Sequence, residues 1–148
     1  MRSAAEWRLA WRALRAVVIV RLALWWMPYA SIRARSARRR EARKHRVPRG
    51  DAWRRDLARD PAALAWAVRA AARHVPRATC LTQALTLEAL LADVGLTADV
   101  RIGVARASDG SFEAHAWAVR DHEVLIGGRG DLARFAPLPP HASDLLRR

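Results

Sequence analysis

Apolar residues repeat at two different periods along this chain, and the period changes at Gly95. Before Gly95 the spacing is helical. The segment EWRLAWRALRAVVIVRLALWWMPYA, residues 6–30, sets Trp7, Trp11, Leu14 and Val18 at steps of three or four, with Arg8, Arg12 and Arg15 on another face. From Ala16 it is apolar almost all round, interrupted by Arg21, until Pro28. Asp60-Pro61 pairs an N-cap residue type with proline at the first helical position and predicts a helix over 61–74. Leu64, Ala67, Val68 and Ala71 share one stripe of it, and it stops before Pro76. Thr79 as N-cap and Gly95 as stop signal bracket the next helix, whose buried stripe is Ala84, Leu87, Leu91 and Val94, flanked by Leu81 and Leu85.

After Gly95 the pattern alternates. ADVRIGVA puts Val100, Ile102 and Val104 on one face of a strand. Ser108-Asp109-Gly110 marks a hairpin turn, and FEAHAWAVR is a second strand in which Glu113, His115, Trp117 and Val119 share a face. Asp121-His122 predicts a tight turn into a third strand, EVLIGG. The tail from Arg134, with Pro137, Pro139 and Pro140, reads as extended chain on the surface. The fold class is therefore α+β: helices followed by a three-stranded antiparallel meander. A sheet that small must bury a face against a helix, and the helix beginning at Cys80 is the nearest candidate.

Charge divides the chain differently. Lys and Arg number 27 against 14 Asp and Glu, a formal charge of +13. Much of it lies between Arg33 and Arg46, while the part after Cys80 is nearly balanced. Val47-Pro48-Arg49-Gly50 reads as a linker, with a short helix capped by Asp51 after it. These features predict a basic, tryptophan-rich helical appendage over 1–46 and a domain over 47–148. A charge of this sign suits an anionic partner. The tryptophans precede the arginines in a separate block rather than alternating with them, which favours a membrane or protein surface over nucleic acid. The apolar run is about 15 residues, short of the ~20 that span a bilayer, so the helix would lie in an interface or dock on protein. No small-residue cleavage site precedes the arginines, as a signal peptide would require. A lone cysteine excludes an internal disulfide and paired-thiol zinc motifs, and it fits a reducing, cytoplasmic compartment, peripheral to the membrane if the helix binds there. No metal or cofactor is expected.

That cysteine, Cys80, stands in the first turn of its helix, where unpaired backbone N–H groups favour negative charge on a thiolate or an oxyanion. A histidine within reach would make it an activated nucleophile. Of five histidines, His115 on the central strand is the best placed. His45 lies in the basic run, His74 ends a helix, His122 sits in a turn and His141 in the proline-rich tail. Gln83, one turn on, is a candidate oxyanion donor or a capping residue. Trp117, on the face of His115, is a core aromatic or a shield for the pair. Taken alone, these residues fit buried filler as well as a hydrolase.

The run CLTQALTLEALLADVGLTADVRIGVARASDGSFEAHAWAVRDHEVLIGG resembles the transglutaminase-like cysteine peptidases of lasso-peptide biosynthesis, the leader peptidases called B2 proteins. The pieces that carry the likeness are CLTQAL, RIGVA, AHAW, and VLIGG followed by RFAPLP, in this order, within residues 51–140. The apolar, arginine-flanked helix before them resembles the N-terminal region of stand-alone members. The resemblance implies a transglutaminase or papain-like core, with Cys80 attacking the bond between leader and core peptide and His115 as its base. It also implies a precursor peptide as substrate and, as partners, a separate leader-recognition protein and an ATP-dependent lasso cyclase. Whether ATP stimulates the cleavage itself stays open.

In many relatives an Asp completes a triad roughly where Gly127 stands here. Asp121 lies six residues along the strand from His115, roughly 20 Å at ~3.3 Å per residue, too far to bond it. Asp131 follows a flexible Gly-Gly-Arg-Gly segment that could fold it back, so Asp131 is the favoured third member, with a backbone carbonyl as the other route to orienting the ring. The rival to a peptidase (Cys80, His115, Asp131) is a non-catalytic basic adaptor.

Overall fold

The structure is a computed structural model, and it describes residues 4–44, 60–128 and 130–138. The linker at 47–50 and the helix expected after Asp51 lie outside the described residues. Among the described residues, four helices lie on one face of a small antiparallel sheet: α1 (Ala4–Trp26), α2 (Tyr29–Lys44), α3 (Pro61–Ala72) and α4 (Cys80–Asp93). The strands are β1 (Asp99–Arg106), β2 (Phe112–Arg120), β3 (Glu123–Ile126) and β4 (Ala136–Pro137), in the order β3-β2-β1-β4. The α+β class read from the periodicities is the class observed.

Local chemistry sets the element ends. The Asp60 carboxylate accepts from the Ala63 N–H at 3.0 Å, with Pro61 behind it, and Thr79 Oγ1 accepts from the Thr82 N–H. At the other end of α4, Gly95 takes φ +82°, and the Leu96 N–H returns to the Leu91 carbonyl. Asp121 and His122 both have positive φ, 49° and 67°, so β2 turns into β3 through two left-handed residues. That geometry matches the strand twist of a two-residue hairpin.

The arginine run is helical, in keeping with the helical segment expected over 1–46: in α2, Ile32 and Ser36 are buried one turn apart, and Arg35, Arg38 and Arg39 are exposed. The sheet also has a fourth strand, because Ala136 and Pro137 pair with Val104 and Gly103 at the edge of β1. Proline is tolerated on an edge strand because it owes no N–H to a neighbour.

One core joins everything on the helical face. Ala13, Val17 and Val20 of α1 and Ile32 of α2 are buried with Leu64 and Val68 of α3, Leu85, Leu87 and Leu91 of α4, and Val100, Ile102, Ala116, Ala118 and Ile126 of the sheet. Residues 4–44 therefore share the packed core, with the N-terminal helices docked on the rest of the chain; the boundary expected at 46/47 lies outside the described residues. Helix propensity alone would not hold α1; its buried face does. A second, smaller cluster covers the other face of the sheet: Ala105, Trp117, Val119 and Phe135, with Leu132 against it.

Candidate active site

Cys80 is the first residue of α4, half-buried, and its side chain adjoins the helical core. The Gln83 N–H bonds the Thr79 carbonyl, the first closed turn of the helix. The N–H groups of Cys80 and Leu81 precede that turn, where an α-helix supplies no acceptor of its own. Gln83 is committed otherwise, since its amide donates back to the Ala78 carbonyl at 3.5 Å. The chain before Cys80 is sharply bent, with Arg77 at φ 58°.

His115 lies on β2, directly opposite Gly103 of β1. Successive strand residues face opposite ways, so the ring shares a face with Trp117, and Ala116 turns to the helices. Trp117 stacks at 6.2 Å between ring centroids, and Phe135 tilts against the imidazole at 5.4 Å. Gly103 makes room for this: a Cβ there would lie 2.9 Å from Phe135 Cβ and 3.0 Å from the Trp117 ring. The imidazole is thus walled by aromatic carbon on two sides.

Its polar contact is a backbone one. His115 Nε2 lies 2.8 Å from the Gly127 carbonyl oxygen. A carbonyl only accepts, so Nε2 carries the proton and donates, and in the neutral ring Nδ1 holds the lone pair. Gly127 reaches this position with φ +77°; a Cβ would stand 2.6 Å from the Ala116 carbonyl and 2.9 Å from Trp117 Cα. A side chain is excluded there, and the carbonyl occupies the orienting role.

Asp131 goes elsewhere. Its Oδ2 accepts from Arg134 Nε at 2.8 Å, and the same guanidinium also bonds Glu113, two residues before His115 on the same face. Arg134 lies over the Phe135 ring at 4.7 Å. Hydrogen bonds to Glu113, then to Asp131, hold the guanidinium more firmly charged than usual. Glu113, Arg134 and Asp131 therefore clamp the 3₁₀ turn Leu132–Arg134 over the aromatic wall of His115. Asp121 sits in the β2–β3 turn, paired with Arg120.

Helix α4 packs against β2, but the His115 ring lies on the Trp117 and Phe135 face of the sheet, turned away from α4. Among the described residues the hydrogen bond of the His115 ring goes to Gly127, and none joins it to the thiol. Among the described residues there is no cluster of His, Cys, Asp or Glu able to hold a metal ion.

Comparison with protein families matches residues 4–139 to the transglutaminase-like superfamily. The chain belongs to the transglutaminase-like superfamily. The match starts within α1, so the family's unit includes the N-terminal helices that share the core here. Membership of a superfamily built on a catalytic fold is consistent with the likeness to lasso-peptide leader peptidases. No curated protein and no solved structure matches the chain significantly.

Proposed function

We propose that this protein is a cysteine peptidase that removes the leader from a lasso-peptide precursor during ribosomal peptide maturation, with Cys80 as nucleophile and His115 as base. The observation that carries the reading is the bond from His115 Nε2–H to the Gly127 carbonyl, because it leaves Nδ1 as the basic nitrogen of a ring held in place. Superfamily membership and the position of Cys80 at a helix start support it.

The chemistry runs as acyl transfer. Nδ1 takes the thiol proton, and Sγ attacks the carbonyl carbon of the leader–core bond. The oxyanion that forms is met by the Cys80 and Leu81 N–H groups. Collapse breaks the C–N bond, His115 gives its proton to the leaving amine, and the core peptide departs with a free N-terminus. Water then gives a proton to Nδ1 and attacks the thioester, releasing the leader carboxylate and restoring the thiol.

The test is cleavage of the cognate precursor in the presence of its leader-recognition protein. Cys80→Ala and His115→Ala should abolish leader release with circular dichroism unchanged, and intact-mass spectrometry should trap a leader thioester on the unmodified chain alone. The absent thiol–imidazole hydrogen bond favours a second reading, a non-catalytic adaptor. Full cleavage by Cys80→Ala would establish that reading instead.

A further inference from the structure

Helix α1 has two apolar faces, and the core uses one. Ala13, Val17 and Val20 are buried, with Leu9 and Leu24 packed beside them. Trp7, Trp11, Val18, Leu22 and Trp25 recur at helical spacing on another face and stand in solvent, the first two and last at 59%, 59% and 67% exposure. Trp26, at the helix end, is 82% exposed, and Ile19 is 59% exposed. This is a continuous stripe, unlike the scattered apolar residues of an ordinary surface.

Charge borders the stripe on one side. Arg8, Arg12 and Arg15 are exposed on α1, and Arg12 and Arg15 share a groove with Ile19 and with Arg39 of α2, with Asp93 of α4 at its rim. Residues 1–46 carry thirteen Arg and Lys against Glu6 and Glu41, so nearly all the excess charge of the chain lies here. Tryptophan indoles favour the headgroup level of a bilayer, and arginines beside them meet phosphates. No described helix is long and apolar enough to cross a membrane.

We infer that this face is a docking surface for an anionic lipid bilayer, with α1 lying along the membrane plane, its tryptophans in the headgroup region and the arginines of α1 and α2 on lipid phosphates. The charge complementarity, thirteen basic residues against two acidic ones over 1–46, selects this occupant over an apolar protein groove.

Vesicle flotation of the full-length chain tests it, with phosphatidylcholine alone and with one third phosphatidylglycerol, at low and high salt. Partition should be at least about tenfold stronger onto the anionic vesicles and weaken with salt. The double substitutions Trp25→Ser with Trp26→Ser, and Arg15→Glu with Arg39→Glu, change exposed side chains and should each reduce partition about tenfold. Cys80→Ala should float like the unmodified chain, which separates this surface from the peptidase reading. Undiminished partition of either double variant overturns the proposal, as does equal binding to neutral vesicles. A solution dimer that the tryptophan substitutions dissolve, without loss of vesicle binding, assigns the stripe to a second copy and also overturns it.

Discussion

His115 donates from Nε2 to the Gly127 carbonyl across 2.8 Å, and Gly127 is a position where the fold admits no side chain. The two facts are linked. A triad carboxylate hung on this residue would collide with the Ala116 carbonyl, so the backbone supplies the acceptor directly. A carbonyl fixes ring orientation and tautomer as a carboxylate does, yet brings no full negative charge to stabilise an imidazolium. Such a pair depends on geometry more than on charge.

Gly127→Ala should therefore injure both fold and site. The left-handed φ and the 2.6 Å approach to Ala116 O predict a loss of about 1–3 kcal/mol in urea unfolding. Ring ¹⁵N spectra should show the Nε2–H tautomer of His115 in the unmodified chain and mixed tautomers in the variant. Unchanged spectra in a folded Gly127→Ala chain would detach the carbonyl from the ring.

Asp131 and Arg134 separate clamp from triad. If the Gly127 carbonyl orients the ring, Asp131→Asn should keep cleavage within about tenfold of the unmodified rate, whereas His115→Ala loses about 10²–10⁴-fold. Arg134→Ala removes both carboxylate contacts at once and should lower kcat more than Asp131→Asn does. Equal losses in Asp131→Asn and His115→Ala would restore the aspartate as the orienting group.

What was legible in the sequence was local. Asp60-Pro61, Thr79 and Gly95 marked helix ends because capping is decided within one turn, and Asp121-His122 marked a hairpin because two strands needed two residues between them. Helix α2 was not legible as an element of its own within the helical segment 1–46, because Ile32 and Ser36 are too few buried-face residues to stand out in an arginine run. Strand β4 was hidden because two residues carry no alternation, and the β2–β3 pairing slips at Ala118/Val119, a shift no composition announces. Cys80 and His115 stood out by residue type and position. A backbone carbonyl was one expected route to orienting the ring, but sequence could not say which one, since every residue has one.

Arg33 and Glu88 tie α2 to α4, at 3.1–3.2 Å from guanidinium to Oε1. Glu88 is the deeper partner, and its Oε2 is buried with no hydrogen-bond partner among the described residues. Burial raises the Glu88 pKa, with the attraction of Arg33 and then Arg40 working against it. Burial lowers that of Arg33, but Glu88 and then Tyr29 outweigh it and leave it raised. A carboxyl raised on folding contributes stability that is fully present below its unfolded pKa and lost as pH rises through the folded one. Arg33→Met, which leaves a buried carboxylate alone, should thus cost about 1–3 kcal/mol at neutral pH, the lower part of the range because Arg33 is one-third exposed. The cost should shrink as pH falls into the carboxylate range, and Glu88→Gln should abolish that pH dependence. Denaturant titrations at several pH values check both.

Helices α1 and α2 decide whether the elements carrying Cys80 and His115 can stand alone. Val17 is fully buried in the same cluster as Leu64, Leu85 and Leu87, and Ile32 adds α2 to it. Removing residues 1–46 would strip this face from α3 and α4 and expose the apolar surface that supports the helix of Cys80. The truncated chain should be aggregated or molten, with broadened amide spectra, and should not cleave. A gentler probe keeps the chain whole: Val17→Ala should cost about 1–3 kcal/mol, while Val18→Ala, on the exposed stripe one residue along, should cost less than about 0.5. A truncation that stays folded and active would make α1 and α2 a detachable arm, and equal costs at positions 17 and 18 would contradict the assignment of the two faces.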